Sequence, residues 1–157
     1  MIIEHQELKS YLRQRYPFLL VDRVLTVNQE EVVAIKNVTG TDRCLEGHFP
    51  DEPLFPGAFL VEAMSQAGGL LFLFANPDHQ PSRGYLAKVD HVKFKRFVRP
   101  GDQIVLRATS PRSFGPMSRV NVTASVDGTE VGEGEITYYF DQKPISSPVE
   151  PDHMVTP

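Results

Sequence analysis

Cysteine occurs once in this chain, at Cys44, which excludes an intrachain disulfide and any multi-cysteine metal cluster. Nothing therefore points to an oxidising compartment. Positive charge is not in surplus either: 16 Lys and Arg stand against 20 Asp and Glu, a formal net charge of -4. A general nucleic-acid binder needs the opposite balance to neutralise phosphates, so any basic surface must be local. No apolar run matches the roughly 20 uninterrupted residues of a membrane span. The longest, Ala58 to Ala75, is broken by Glu62, Ser65 and Gln66. The opening MIIEHQELKS lacks the basic start and apolar core of a signal peptide, and the expectation is a cytoplasmic protein. With 41% hydrophobic residues the chain has enough apolar material for one core. A single domain is expected over residues 1–142. Pro, Ser and acids dominate residues 143–157, which read as a disordered tail.

What is present is organised by residues 47–74, GHFPDEPLFPGAFLVEAMSQAGGLLFLF. A histidine lies in a Gly- and Pro-bounded loop, the chain turns at Pro56-Gly57, and an apolar helix follows. Leu60, Val61, Ala63, Met64, Ala67, Leu70, Leu71 and Phe72 occupy every side of its helical wheel, so it belongs inside the fold. Glu62 sits within it, and a carboxylate in such surroundings needs a partner or a task.

Around this helix the periodicity is mostly that of strands. Ile3 to Leu12 has the spacing of a short amphipathic helix, ended by Pro17. Phe18–Val27 and Glu31–Thr39 read as two strands, Gly40–Cys44 as a loop, and Asn76–Gly84 as an exposed loop. Tyr85–Val98, Gln103–Ser110, Arg119–Val126 and Val131–Phe140 read as four more strands, the last two joined by the hairpin signal Asp127-Gly128. Successive hairpins imply an antiparallel sheet, and a helix apolar on all sides must be wrapped by it. The expected fold is α+β. One curved sheet of this size cannot enclose the helix fully, so a symmetric dimer is expected to complete the cover.

The chemistry follows from residue types. His48, near neutral in its usual titration, suits removal of a carbon-bound proton made acidic by a neighbouring carbonyl. Glu62 in an apolar site has its pKa raised by desolvation and can stay protonated as an acid. Together they suit loss of a proton and a hydroxyl from adjacent carbons. Gly57 opens the helix, where unpaired N–H groups can hold a carbonyl oxygen. Gln66, four residues beyond Glu62, shares its face and can orient the carboxyl. Each has a plainer reading: a hydrogen-bonded loop histidine, or a polar glutamine at a helix–sheet contact.

Residues 47–69 closely resemble the signature of the 3-hydroxyacyl-[acyl-carrier-protein] dehydratases, with their Gly-His-Phe-Pro loop, Pro-Gly turn and Glu-Ala-Met-x-Gln helix. RYPFLLVDRV at 15–24, FKRFVRPGDQ at 94–103 and the Val126-Asp127-Gly128 hairpin add separate matches. The resemblance implies a hot-dog fold, in which an antiparallel sheet wraps one long helix. It implies homodimers, with trimers of dimers as a further assembly, and dehydration of a 3-hydroxyacyl thioester to the trans-2-enoyl product without metal or organic cofactor. On that resemblance His48 is the base at C2, Glu62 the acid at the C3 hydroxyl, and the two meet across the dimer interface. Gly57 donates to the thioester carbonyl.

The sequence departs from the family at Arg13-Gln14, where Pro-His is usual, and at Cys44, Leu45 and Glu46, where two aromatics and Gln are usual. A carboxylate at Glu46 would raise the His48 pKa wherever the side chains approach. The implied partner, an acidic acyl carrier protein, calls for a local cationic patch, for which Lys88, Lys93, Lys95, Arg96 and Arg99 are the candidates. Phe55 and Phe59 are candidates for the lining of an acyl channel. A hot-dog thioesterase and a non-catalytic acyl-thioester binding module are the alternative readings.

Overall fold

The computed structural model describes residues 1–77 and 83–141. Six strands form one antiparallel sheet: β1 (Arg23–Val27), β2 (Glu31–Asn37), β3 (Arg83–Phe94), β4 (Gln103–Phe114), β5 (Met117–Val126) and β6 (Thr129–Asp141). They lie in the order β1-β2-β4-β5-β6-β3. A short helix, α1 (His5–Tyr11), precedes them, and the long α2 (Gly57–Ala75) connects β2 to β3. This is the α+β, hot-dog arrangement, with α2 packed mainly on β4, β5 and β2.

Alternation along the strands explains how the sheet takes the helix. Val120, Val122, Ala124 and Val126 of β5 are buried, as are Ile136, Tyr138 and Phe140 of β6. Against them α2 buries Leu60, Ala63, Met64, Ala67, Leu70 and Leu71. Truncating a fully buried Leu such as Leu70 to Ala costs about 2–5 kcal/mol. Gly68 allows the closest approach: a Cβ there would stand 2.2 Å from the Tyr138 hydroxyl and 2.8 Å from Val120. By length and hydropathy alone α2 could cross a membrane, but more than half of it is buried inside the sheet's curve, as in a core helix.

Several boundaries differ from the sequence pattern for identifiable reasons. The first helix covers His5–Tyr11 rather than Ile3–Leu12, because Ile3 leaves it to exchange two backbone hydrogen bonds with Val24. Of the strand expected over Phe18–Val27 only Arg23–Val27 forms. The Phe18 carbonyl and Leu20 N–H are taken by the Gln66 side chain, at 2.8 Å each, instead of a neighbouring strand. β2 ends at Asn37, and the following loop contains a 3-10 turn at Arg43–Leu45. β3 starts at Arg83 and stops at Phe94, short of the expected Val98. β4 runs past the expected end at Ser110, through Pro111, to Phe114: a register shift between Thr109 and Arg112, with Ser110 at φ 56°, accommodates the proline. Asp127 and Gly128 both have positive φ, 50° and 74°, as a two-residue hairpin turn requires. Residues 78–82 of the expected Asn76–Gly84 loop and the whole expected tail from 143 lie outside the described residues.

The two edges of the sheet are unlike. β1 has five residues and is flanked by the Ile3 bridge. β3 has twelve, and Tyr85, Leu86, Val89 and Phe94 along it are exposed.

Candidate active site

Glu62 projects from the second turn of α2 into a cavity of about 130 Å³ that also touches Gln14, Ser65, Gln66, Leu86 and Tyr138. The side chain is half-buried, and loss of water pushes its carboxyl above the usual carboxylate range. Hydrogen bonds from the Gln66 and Gln14 side chains oppose that shift without reversing it. Gln66 donates to Glu62 Oε1 at 2.9 Å. It is only 2% exposed, and its other bonds tie α2 to the 18–20 segment. Gln66 is thus committed to holding Glu62 and the backbone. Below it, Tyr138 donates to the Ser65 carbonyl at 2.7 Å, and burial together with the Glu62 charge pushes its phenol upward, so it remains neutral.

His48 lies in the loop between the 3-10 turn and α2. Its N–H bonds the Leu45 carbonyl at 3.2 Å, and Nδ1 stands 3.2 Å from the Leu54 carbonyl. A carbonyl can only accept, so Nδ1 carries a hydrogen and, in the neutral ring, Nε2 keeps the lone pair. The ring stacks on Phe49 with centroids 4.3 Å apart. This histidine borders a second cavity, of about 190 Å³, together with Phe55, Gly57, Phe94, Arg96 and Phe97. Glu46 pairs with Arg43 at 3.9 Å, and its side chain is 74% exposed. Among the described residues no hydrogen bond or ion pair joins it to His48.

Gly57 opens α2 behind Pro56, with no side chain capping the free N–H groups of that first turn. The Phe94 ring lies against it, only 3.0 Å from where a Cβ would stand. Phe55 is buried and borders the His48 cavity. Phe59 borders neither cavity: it packs edge-on between Phe18 and Phe55.

The basic residues divide sharply. Lys88 pairs with Asp90 at 3.0 Å, Lys93 with Glu133 at 3.3 Å, and Arg99 with Glu52 at 2.7 Å. Lys95 pairs with Glu130 and, at 3.0 Å, with Glu133. Arg96, at the rim of the His48 cavity, has no ion pair among the described residues. Sequence reasoning missed these partners, although for Lys93 and Lys95 the acids of TEVGEGE in β6 carried the signal. It also passed over Gln14, which appeared only as a departure from a family pattern.

The cavities of His48 and Glu62 share no lining residue. They lie at opposite ends of β3: Arg83, Gly84 and Leu86 border the acid, and Phe94 with the residues just after it borders the histidine.

Comparison with known proteins adds to this geometry. Residues 12–135 match the FabA-like domain. The chain is 42% identical over 132 residues to the 3-hydroxyacyl-[acyl-carrier-protein] dehydratase FabZ of Lactococcus lactis subsp. lactis (strain IL1403), covering 84% of this chain and 91% of that one. It is 43% identical over 137 residues to FabZ of Streptococcus pneumoniae (strain CGSP14), covering 87% and 97%. In fold it is similar to a chain of the dehydratase heterocomplex ApeI:P from Xenorhabdus doucetiae, with a TM-score of 0.74, 18% identity, and coverage of 85% and 90%. A hypothetical thioesterase from Streptococcus pneumoniae TIGR4 shares the fold at a TM-score of 0.60 and 13% identity, covering 75% and 84%. The chain belongs to the FabA-like family, among the 3-hydroxyacyl-[acyl-carrier-protein] dehydratases.

Proposed function

We propose that this protein dehydrates 3-hydroxyacyl thioesters carried on an acyl carrier protein, in fatty-acid synthesis in the cytoplasm, with His48 as base and Glu62 as acid. The observation that carries the assignment of roles is the environment of Glu62: half-buried, met by amide donors, and held above the usual carboxylate range. Such a carboxyl holds its proton to higher pH than a solvated one, as an acid in this role requires. His48 Nε2 takes a proton from C2, the C2–C3 double bond forms, and Glu62 protonates the C3 hydroxyl as it leaves as water. Imidazolium and carboxylate then reset through solvent. The N–H of Gly57, at the free start of α2, accommodates the thioester oxygen as it gains enolate charge.

The reaction needs both groups on one substrate, and the edge strand supplies the means. Among the described residues β3 is paired on one side only. Antiparallel pairing of β3 with its copy about a two-fold axis sets the Arg83 end of one protomer beside the Phe94 end of the other. That brings the acid's cavity against the partner's histidine cavity and covers the exposed Tyr85, Leu86 and Val89. The site is accordingly a property of the homodimer. Sedimentation distinguishes that dimer from a trimer of dimers. Phe55 suits the acyl path, whereas Phe59 supports it from behind. Within the proposed carrier surface of Lys88, Lys93, Lys95, Arg96 and Arg99, Arg96 is the cation available to an acidic partner without first breaking an ion pair.

The test incubates the protein with 3-hydroxyacyl carrier-protein thioesters and follows enoyl formation and thiol release. Enoyl product is expected, and thiol release without it would identify a thioesterase. Mixed His48→Ala and Glu62→Ala protomers should regain activity that neither has alone; no recovery after confirmed subunit exchange would sink the shared site.

A further inference from the structure

The segment from Leu12 to Leu20 has no sheet partner among the described residues, yet it is held from both sides. Arg15 donates to the carbonyls of Leu12 and Gln14 at 2.8 Å and of Lys9 at 3.1 Å. The Arg15 carbonyl accepts from the N–H groups of Phe18 at 2.6 Å and Leu19 at 3.0 Å. Gln66 takes the far end through Phe18 and Leu20. This clamped segment presents Gln14 to the Glu62 cavity, where the two side chains border the same space and the Gln14 amide favours the carboxylate.

Counting donors makes the contact more than incidental. One amide N–H of Gln66 serves the Phe18 carbonyl, which leaves one for Glu62. A carboxylate offers about four lone-pair sites, so the anion left after proton donation needs a second donor in a site poor in water. We propose that Gln14 is a positioning residue for Glu62, its amide holding the carboxyl jointly with Gln66 so that the proton leaves from a fixed oxygen. The proposal rests on Glu62 being the acid of the reaction. Both supporting groups are then neutral amides that do not titrate, and the pH response of the acid is its own. The other charged or titratable side chains bordering the cavity are Tyr11 of α1, Arg13 beside Gln14, Arg83 of β3 and Tyr138 of β6. Arg13 and Arg83 are exposed, so water and salt screen them, and Tyr138 stays neutral.

The test compares wild type, Gln14→Leu, Gln14→His and Glu62→Gln on one 3-hydroxyacyl carrier-protein thioester across pH, with thermal melting and ¹³C NMR titration of labelled glutamate carboxyls. Gln14→Leu is expected to lose about tenfold in kcat with KM within about twofold, the scale of one hydrogen bond to a charged group. Removing a donor that favours the anion raises the Glu62 pKa further, so the alkaline limb of kcat and the NMR midpoint both move to higher pH. Gln14→His returns a ring N–H to the site and should recover most of kcat. An unchanged kcat and limb in Gln14→Leu overturns the proposal. So does a lower kcat with an unmoved NMR midpoint, which marks a merely structural loss. Full activity in Glu62→Gln is a separate outcome, because it removes Glu62 as the acid whatever Gln14 does.

Discussion

The cavity of Glu62 and the cavity of His48 are built on opposite plans. Glu62 stands on a helix, walled by the buried side of β6 and by the clamped segment after α1, with Gln66 donating to it and Gln14 bordering the same cavity. His48 stands on a loop, beside Phe94 and Phe97, which are 56% and 69% exposed. The difference fits what the proposed roles require. An acid that has to keep its proton near neutrality requires desolvation, which a helix inside a sheet provides. A base at neutral pH requires only the right tautomer and access, and one ring hydrogen bond to the Leu54 carbonyl supplies the first. The exposed aromatics leave the second open to a substrate or a partner.

The largest test of this contrast removes each group in turn. Glu62→Ala and His48→Ala should each reduce kcat by about 10²–10⁴, the usual contribution of general acid–base groups. Steady-state kinetics with a purified carrier-bound substrate measures it, and a loss under tenfold in either would break the assignment.

A middling effect separates the two plans by stability. The folded-state pKa of Glu62 is raised by burial. The stability linked to its protonated form is therefore present at low pH and is lost as pH rises through the folded value. Glu62→Gln does not ionise, so its Tm should equal or exceed that of wild type, with the margin widening as pH increases. Thermal melts from acid to mildly alkaline pH check this; a margin that narrows with rising pH would contradict the burial argument.

The smallest effect sharpens the open side. Arg96→Ala should raise KM for a carrier-bound substrate severalfold, and added salt should reduce the difference from wild type. Lys95→Ala should change KM less, since Lys95 already pairs with Glu130 and Glu133. Equal effects from the two substitutions would mean that the ion pairs give way on docking.

How much of this was legible in the chain varies with the distance over which each feature is decided. The α2 helix and its acid were plain, because an apolar wheel interrupted by one Glu is a local pattern. The Gln66–Glu62 hydrogen bond was legible for the same reason, being a matter of i,i+4 geometry. The run FLLV before Asp22 was misread as strand, because an apolar stretch says nothing about who takes its backbone hydrogen bonds, and here a side chain 46 residues away does. Lys93 and Lys95 looked like part of a patch because their acids, Glu130 and Glu133, lie on β6, far along the chain. Glu46 looked like a threat to His48 from spacing alone, yet in the fold it pairs with Arg43.

By itself, then, the sequence determined the elements and the chemical kinds: one buried helix, six strands, a carboxyl in apolar surroundings and a histidine in a loop. These are matters of periodicity, turn residues and desolvation, all readable within a few residues. Only the tertiary structure decided that Glu62 and His48 border separate cavities at opposite ends of one edge strand, and that Gln14 borders the cavity of Glu62. Those facts depend on strand order and register between segments far apart in the chain, which local patterns do not encode.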